Sequence, residues 1–218
     1  MPNLTHNPDF HIRPITAYEW QANATGNLAL PPGFWEPGGP GTPVREGRVK
    51  PLGAFLKERM IGYVGVREVS RGQLSPETNA ALHGLMERRR MSGDIGNTAL
   101  GALEDPTVPD SKIVAYNLAF ALVAERGQGV GLRLTLAAIF QAAKNATPEQ
   151  PIPAYASVAE ANPSARLLTR LGFEPLSVDG KPYTKMHDYY QPPAADGTFA
   201  PPVNVPHLMM GTVLEGNL

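Results

Sequence analysis

The apolar positions of this chain gather into runs of strand length and runs of helix length, separated by turn residues. Phe10–Ile15 reads as a first strand, and Thr16–Asn23 as the start of a helix. Ala54–Lys57 and Met60–Val69 read as two strands joined by a tight turn at Glu58–Arg59. Ser75-Pro76-Glu77 combines a capping hydroxyl, a proline in the first turn and an early acid, so a helix is expected from there to about Met91. Ile113–Val123 has the length and composition of a central, buried strand. Val130–Lys144 is helical by length and apolar nearly all round, so it is expected to pack on a sheet through a broad face. Pro153–Val158 is a further strand. Asn162-Pro163 opens a short helix with Leu167, Leu168 and Leu171 on one side. Phe173–Val178 and Tyr183–Asp188 flank Asp179-Gly180, a strong hairpin signal.

The order is strand, helix, two strands, an insertion, strand, helix, strand, helix, strand, strand. That is a mixed α/β layout, with helices following two successive strands. Two stretches interrupt it. Pro31–Pro43 is too rich in proline and glycine for either a helix or a sheet ladder and is expected to be a loop. Pro192–Pro206 precedes a short apolar end, Leu208–Leu214, and reads as an extended tail that docks a last strand on the core or on a neighbour. The expected organisation is one domain over residues 1–190, with an inserted helix and loop at about 72–108, and a proline-rich tail over 191–218.

Composition narrows the chemistry. The chain has 218 residues and 42% hydrophobic content, enough for a sizeable core. A formal net charge of -1 gives no bulk attraction to nucleic acid or to an anionic membrane. With no cysteines, disulfides, thiolate metal sites and a cysteine acyl-enzyme are excluded together. The histidines form no H-x-x-x-H pair, so no metal is expected, and no G-x-S-x-G motif supports a nucleophile elbow. No apolar run follows a basic N-terminus, and the longest apolar stretches fall far short of the roughly 20 residues of a membrane span. A cytoplasmic protein is expected.

The informative segment is Arg126-Gly127-Gln128-Gly129-Val130-Gly131, between the apolar strand and the apolar helix. Glycines there let the backbone turn tightly and approach a ligand closely. The first N–H groups of the following helix have no intrahelical partner, and the helix dipole favours an anion beside them. A pyrophosphate suits such a place. A strand-to-helix turn that binds nothing uses the same residues. The third glycine spacing is wrong for a dinucleotide fingerprint, no acid follows at the required distance, and the P-loop pattern is absent.

Arg126-x-x-Gly129-x-Gly131 resembles the R/Q-x-x-G-x-G/A pyrophosphate signature of the GNAT acetyltransferases. Asn162, Ala165, Leu168 and Leu171-Gly172-Phe173 resemble the N-x-x-A…L…L-G-F segment that follows that family's fifth strand, and Phe55–Val66 resembles its second and third strands. The resemblance covers about Phe10 to Asp188. It implies an α/β fold with a mixed central sheet, flanked by helices and splayed between its fourth and fifth strands. It implies acetyl-CoA, or another acyl-CoA, as co-substrate, and a small-molecule or peptide amine as acceptor. Leu122 and Val123 would meet the pantetheine amides. Gln128, Gly129, Val130 and Gly131, with Gly127 in the turn, would present N–H groups to the pyrophosphate. Arg126 would add charge or simply face solvent. Asn162 would lie near the cofactor, although Asn before Pro also caps a helix.

In that family a tyrosine before L-G-F commonly protonates the leaving thiolate. Here the position is Leu168 or Thr169, depending on the direction of counting, and neither is a tyrosine. Tyr116 is among the tyrosines that could substitute. Glu68, closing the third strand, and Glu160, following the fifth, are candidates for the base that deprotonates the amine; each is equally an ordinary solvated carboxylate. The insertion Gly72–Val108, with Pro31–Pro43, either shapes the acceptor site or is decoration or an oligomer contact, as in a homodimer. Glu87-Arg88-Arg89-Arg90 suits the end of the inserted helix electrostatically; a sharper role is contact with an acidic acceptor or the nucleotide 3′-phosphate. Three functions remain in view: an active N-acetyltransferase, a binding-only protein of the same fold, and a dinucleotide-dependent oxidoreductase.

Overall fold

The computed structural model describes residues 6–23, 28, 30, 34, 37, 41–96, 103, 105, 107–124, 127–159, 162–189, 194 and 196–216. Ten strands are seen among these residues: β1 (Phe10–Pro14), β2 (Val49–Leu56), β3 (Arg59–Ser70), β4 (Ile113–Val123), β5 (Ile152–Ala159), β6 (Glu174–Pro175), β7 (Ser177–Val178), β8 (Lys181–Pro182), β9 (Thr184–Tyr189) and β10 (Val203–Leu214). The helices are α1 (Ala17–Asn23), α2 (Thr42–Arg45), α3 (Pro76–Met91), α4 (Val130–Ala143) and α5 (Ser164–Arg170). In hydrogen-bonded order the main sheet runs β1-β2-β3-β4-β5-β10-β6, with β9 on β10, while β7 and β8 form a separate ribbon. Strands β4 and β5 are parallel; β1–β2, β2–β3, β5–β10 and β6–β10 are antiparallel. The sheet is therefore mixed, as expected.

Local chemistry explains the ends of these elements. The turn between β2 and β3 falls at Lys57-Glu58, one residue earlier than the pattern suggested, because a register shift at Ala54/Phe55 moves the pairing and puts Lys57 at φ 54°. Asp179 and Gly180 both take positive φ, 50° and 73°, and close the two-residue β7–β8 hairpin. The run Phe173–Val178 is broken at Leu176, whose N–H donates to Met209 O instead of continuing one ladder.

The chain divides into two compact units: Met1–Arg67 with Ala119–Ala138 and Asp188–Asn204, and Glu68–Leu118 with Ile139–His187 and Val205–Leu218. In the first, Trp20 is fully buried, 4.1 Å from the Tyr63 ring and 5.6 Å from the Phe34 ring, among Ile15, Val44, Val49 and Phe55. Burial pushes the Tyr63 phenol up. Thr16 and Glu19 open α1 by a reciprocal box: Thr16 N–H donates to Glu19 Oε2 at 2.9 Å, and Glu19 N–H to Thr16 Oγ1 at 3.1 Å. That backbone bond, and then Arg13 at 2.9 Å, hold the Glu19 carboxyl below its usual range. A carboxylate with a depressed folded pKa stabilises above its unfolded pKa and loses that contribution as pH falls through the folded value. Glu19→Gln is therefore expected to lower the melting midpoint near pH 6. The gap between variant and parent should close as pH falls towards 3, and an unchanged gap across that range would contradict the assignment.

In the second unit, α3 begins where its sequence signals it. Ser75 caps it by accepting the Thr78 N–H at 3.3 Å. Its Ala81, Leu82, Leu85 and Met86 are buried against Val114, Ala115, Leu176 and Met209. The inserted helix is thus part of this unit's core. The segment beyond the proline-rich run is also inside it: β10 pairs with β5 from His207↔Ala159 to Leu214↔Ile152, and with β6 at Met210↔Pro175 and Gly211↔Glu174.

Candidate functional site

The glycine-rich turn sits in the first unit, between β4 and α4. Gly127 and Gly129 have φ of 75° and 79°, the left-handed region in which a β-carbon is unfavourable. Two such residues in three reverse the chain at the end of β4 and start α4 at once. Val130, fully buried, anchors the helix start, and Leu134 and Ala138 continue the same face. The apolar pattern had suggested packing through a broad face; Thr135, Ile139, Ala142 and Ala143 are buried beside these residues, while Leu132 and Phe140 on the remaining side are 40% and 47% exposed. Arg133 N–H donates to Gly129 O at 3.1 Å, which leaves the N–H groups of Val130, Gly131 and Leu132 ahead of the first helical bond. The first turn of α4 holds no acid that would repel an anion.

Leu122 and Val123 close β4 immediately before this turn, and Ala124 N–H donates to Ile61 O at 2.9 Å, tying the end of β4 to β3. On its other edge, the registered pairs of β4 with β5 are Tyr116↔Ala154, Asn117↔Tyr155 and Leu118↔Ala156. Among the described residues the pairing stops there, while β4 continues to Val123.

The remaining sequence-derived residues fall elsewhere. Arg126 and Glu160 lie outside the described residues. Asn162, in the second unit, accepts the Ser164 N–H on its Oδ1 at 2.9 Å, as a residue opening α5 does. Glu68 is half-buried on β3. Tyr116 is 2% exposed, and its hydroxyl accepts an N–H from Asn145 Nδ2 at 2.6 Å. Leu168 is buried in the core, and Thr169 Oγ1 donates back to Ala165 O at 3.0 Å, so neither position offers a proton donor to a ligand. Each arginine of the basic run has a carboxylate partner: Arg88 with Glu174 at 2.9 Å, Arg89 with Asp94 at 3.4 Å and Arg90 with Glu87 at 3.1 Å. These are solvated-face pairs worth a few tenths of a kcal/mol each, up to about 1. Among the described residues no group of three His, Asp or Glu side chains is placed to hold a metal, and no helix is long and apolar enough to cross a membrane. Sequence reasoning passed over one polar residue, Asn117. Its signal was visible: it is an amide in a strand otherwise made of aliphatic and aromatic residues.

No protein-family model matches the chain, and no curated protein matches it. Solved structures do resemble it. The ribosomal-protein-S18-alanine N-acetyltransferase from Escherichia coli superposes with a TM-score of 0.51, at 13% identity, over 94% of this chain and 94% of that one. Arabidopsis thaliana NAA60 in complex with acetyl-CoA gives 0.53, at 15% identity, over 94% and 98%. An acetyltransferase of the GNAT family from Streptococcus pneumoniae gives 0.50, at 14% identity, over 94% and 99%. At such identities the likeness is one of fold. The chain therefore has the mixed α/β fold of the GNAT acetyltransferases.

Proposed function

We propose that this protein binds an acyl-CoA, acetyl-CoA first among them, and transfers the acyl group to a small-molecule or peptide amine by direct attack, without an acyl-enzyme. The observation that carries this reading is the pair of left-handed glycines, Gly127 and Gly129, opening α4 straight from the end of β4. Such a turn aims main-chain N–H groups and the positive end of a helix at one place, which suits the two linked phosphates of CoA. The neighbour solved with acetyl-CoA and the neighbour named for acetylating a protein alanine are consistent with it.

In this reading Gln128, Gly129, Val130 and Gly131 hold the pyrophosphate, and the backbone of Leu122 and Val123 meets the pantetheine. A β4 N–H polarises the thioester carbonyl, an effect worth about 3 kcal/mol per donor. Glu68 takes the proton of the attacking amine, directly or through water. The thiolate leaves without a tyrosine acid: with a thiol pKa of roughly 8.5 it is a tolerable leaving group. A binding-only protein of the same fold is the second reading, favoured by the absence of a donor at Leu168 and Thr169.

The test is thiol release from acetyl-CoA against a panel of amines, run beside thermal unfolding with acetyl-CoA and with NAD(P)H. Stabilisation by acetyl-CoA with release of CoA is expected, and Glu68→Gln should lower kcat by at least about tenfold while leaving the stabilisation intact. Stabilisation without thiol release would favour the second reading. Stabilisation by NAD(P)H alone would overturn both.

A further inference from the structure

Arg67, on β3 in the first unit, has a guanidinium that the protein leaves unanswered. Strand alternation puts its side chain on the face of Tyr63 and Gly65, and the register sets Val49 opposite it and Pro51 opposite Gly65. Val49 and Tyr63 belong to the apolar core of that unit. Of these side chains only Tyr63 carries an acceptor, and it lies roughly 13 Å back along the strand. Arg67 is half-buried, and its Nε is closed off from water with no hydrogen-bond partner. Among the described residues no ion pair or ring contact involves it, whereas Arg13, Arg48, Arg88 and Arg90 each meet a carboxylate. A covered, charged N–H without an acceptor is costly, and a ligand that supplies the acceptor removes that cost. The ligand group is not the pyrophosphate. Ala124 N–H, just before the glycine turn, donates to Ile61 O at 2.9 Å. Arg67 lies further along β3 from Ile61 by roughly 20 Å, at about 3.3 Å per residue.

We propose that Arg67 is a specificity-determining residue that binds a carboxylate of the acceptor, so that the amines this protein acylates are those carrying a carboxylate. This deepens the acyl-transfer reading and rests on it, though not on which glutamate serves as base. A guanidinium presents two parallel N–H donors that match the two oxygens of a carboxylate, and Nε–H with one Nη–H makes such a fork. Nε gains its acceptor when the side chain turns to meet the ligand. The local charge suits a monoanion: on this face of β2 and β3 no second cation is registered beside Arg67, only Val49, Pro51 and Gly65. The free protein bears the cost of the unmet N–H, and the acceptor is selected by relieving it.

The experiment follows thiol release from acetyl-CoA by the full chain with glycine, β-alanine and alanyl-glycine, each beside its own carboxamide, and expresses rates per neutral amine. At least one acid is expected to exceed its carboxamide in kcat/KM by about tenfold or more. Arg67→Met should bring that acid down to the level of its carboxamide and leave the carboxamide within about twofold of the parent. Arg67→Lys, a point charge without the fork, should keep only part of the preference. Without ligand, Arg67→Met is expected to melt higher than the parent, by about 2–4 °C, because an unmet polar group has been removed. Acids and carboxamides reacting alike in the parent would overturn the proposal, as would equal loss on both in the variant or a lower melting midpoint, which would make Arg67 a structural residue. Should Arg67→Met not fold, Arg67→Gln is read the same way, and failure of both overturns it too. If the parent releases thiol with neither acids nor carboxamides, the acyl-transfer reading has failed and takes this proposal with it; that result is told apart because no preference is there to lose.

Discussion

Acetyl-CoA at about a hundred times its dissociation constant is expected to raise the unfolding midpoint by roughly 5–10 °C, and Gly129→Val is expected to erase that rise. The size follows from mass action: a ligand at that excess adds about 2.7 kcal/mol, and a chain of this length shifts by roughly 2–4 °C per kcal/mol. The substitution acts on backbone shape. Gly129 has φ 79°, where a side-chain-bearing residue costs about 1–2 kcal/mol and a β-branched one is worse placed still. Valine would relax by rotating this residue out of the left-handed region, turning the following N–H groups away from their common target. A hundredfold loss of affinity leaves only about 0.4 kcal/mol at the same ligand concentration, below 2 °C. The variant will also melt lower without ligand, so the quantity to read is the increment that acetyl-CoA adds. An increment in the variant equal to that of the parent would remove the turn from the binding site and the acyl-CoA reading with it.

A chain ended at Pro202 is expected to lose cooperative unfolding altogether. Strand β10 runs from Val203 to Leu214 and makes the eight registered pairs with β5 from His207 to Leu214. It also buries Met209, Met210 and Leu214, each 3% exposed or less. Three large side chains at roughly 1.5–3 kcal/mol each come to about 5–9 kcal/mol, comparable with the whole net stability of an ordinary domain, about 5–15 kcal/mol. Deletion would also expose the edge of β5 and the Leu85 and Leu176 side chains of the same core. Circular dichroism on heating is the measurement. A broad, non-cooperative change is the expected outcome, against a sharp transition for a control ended at Glu215, which keeps all of β10. A sharp transition in the shorter chain near the parent's midpoint would show that residues beyond 202 are a separable tail.

Much of this molecule could be read from contiguous residues. The Ser75 cap, the Asp179-Gly180 hairpin, the apolar strand Ile113–Val123 and the glycines before Val130 each express a local rule. A capping oxygen, a residue tolerating positive φ and a two-faced apolar strand act within a few positions of where they are written. The proposed phosphate loop belongs to this group, which is why the turn was legible while the choice between Glu68 and Glu160 as the proposed base stayed open. A base is chosen by what faces it across space, and no spacing in the sequence encodes that.

Tertiary structure decided what local rules leave degenerate. The apolar end Leu208–Leu214 could have docked on this chain or on a neighbour; pairing places it between β5 and β6. The inserted helix was open between a part in the acceptor site, decoration and an oligomer contact, and burial of Leu82, Leu85 and Met86 makes that face of it core. The basic run could have awaited an acidic ligand, and Glu174, 86 residues from Arg88 in sequence, already pairs with it. Asn117 was one letter in an apolar strand until Tyr155, 38 residues on, gave its amide an acceptor. Hydrophobic burial is non-directional and a strand edge accepts any compatible strand, so order and register come from the sum of contacts distant along the chain, whereas turns and caps are settled by their immediate neighbours.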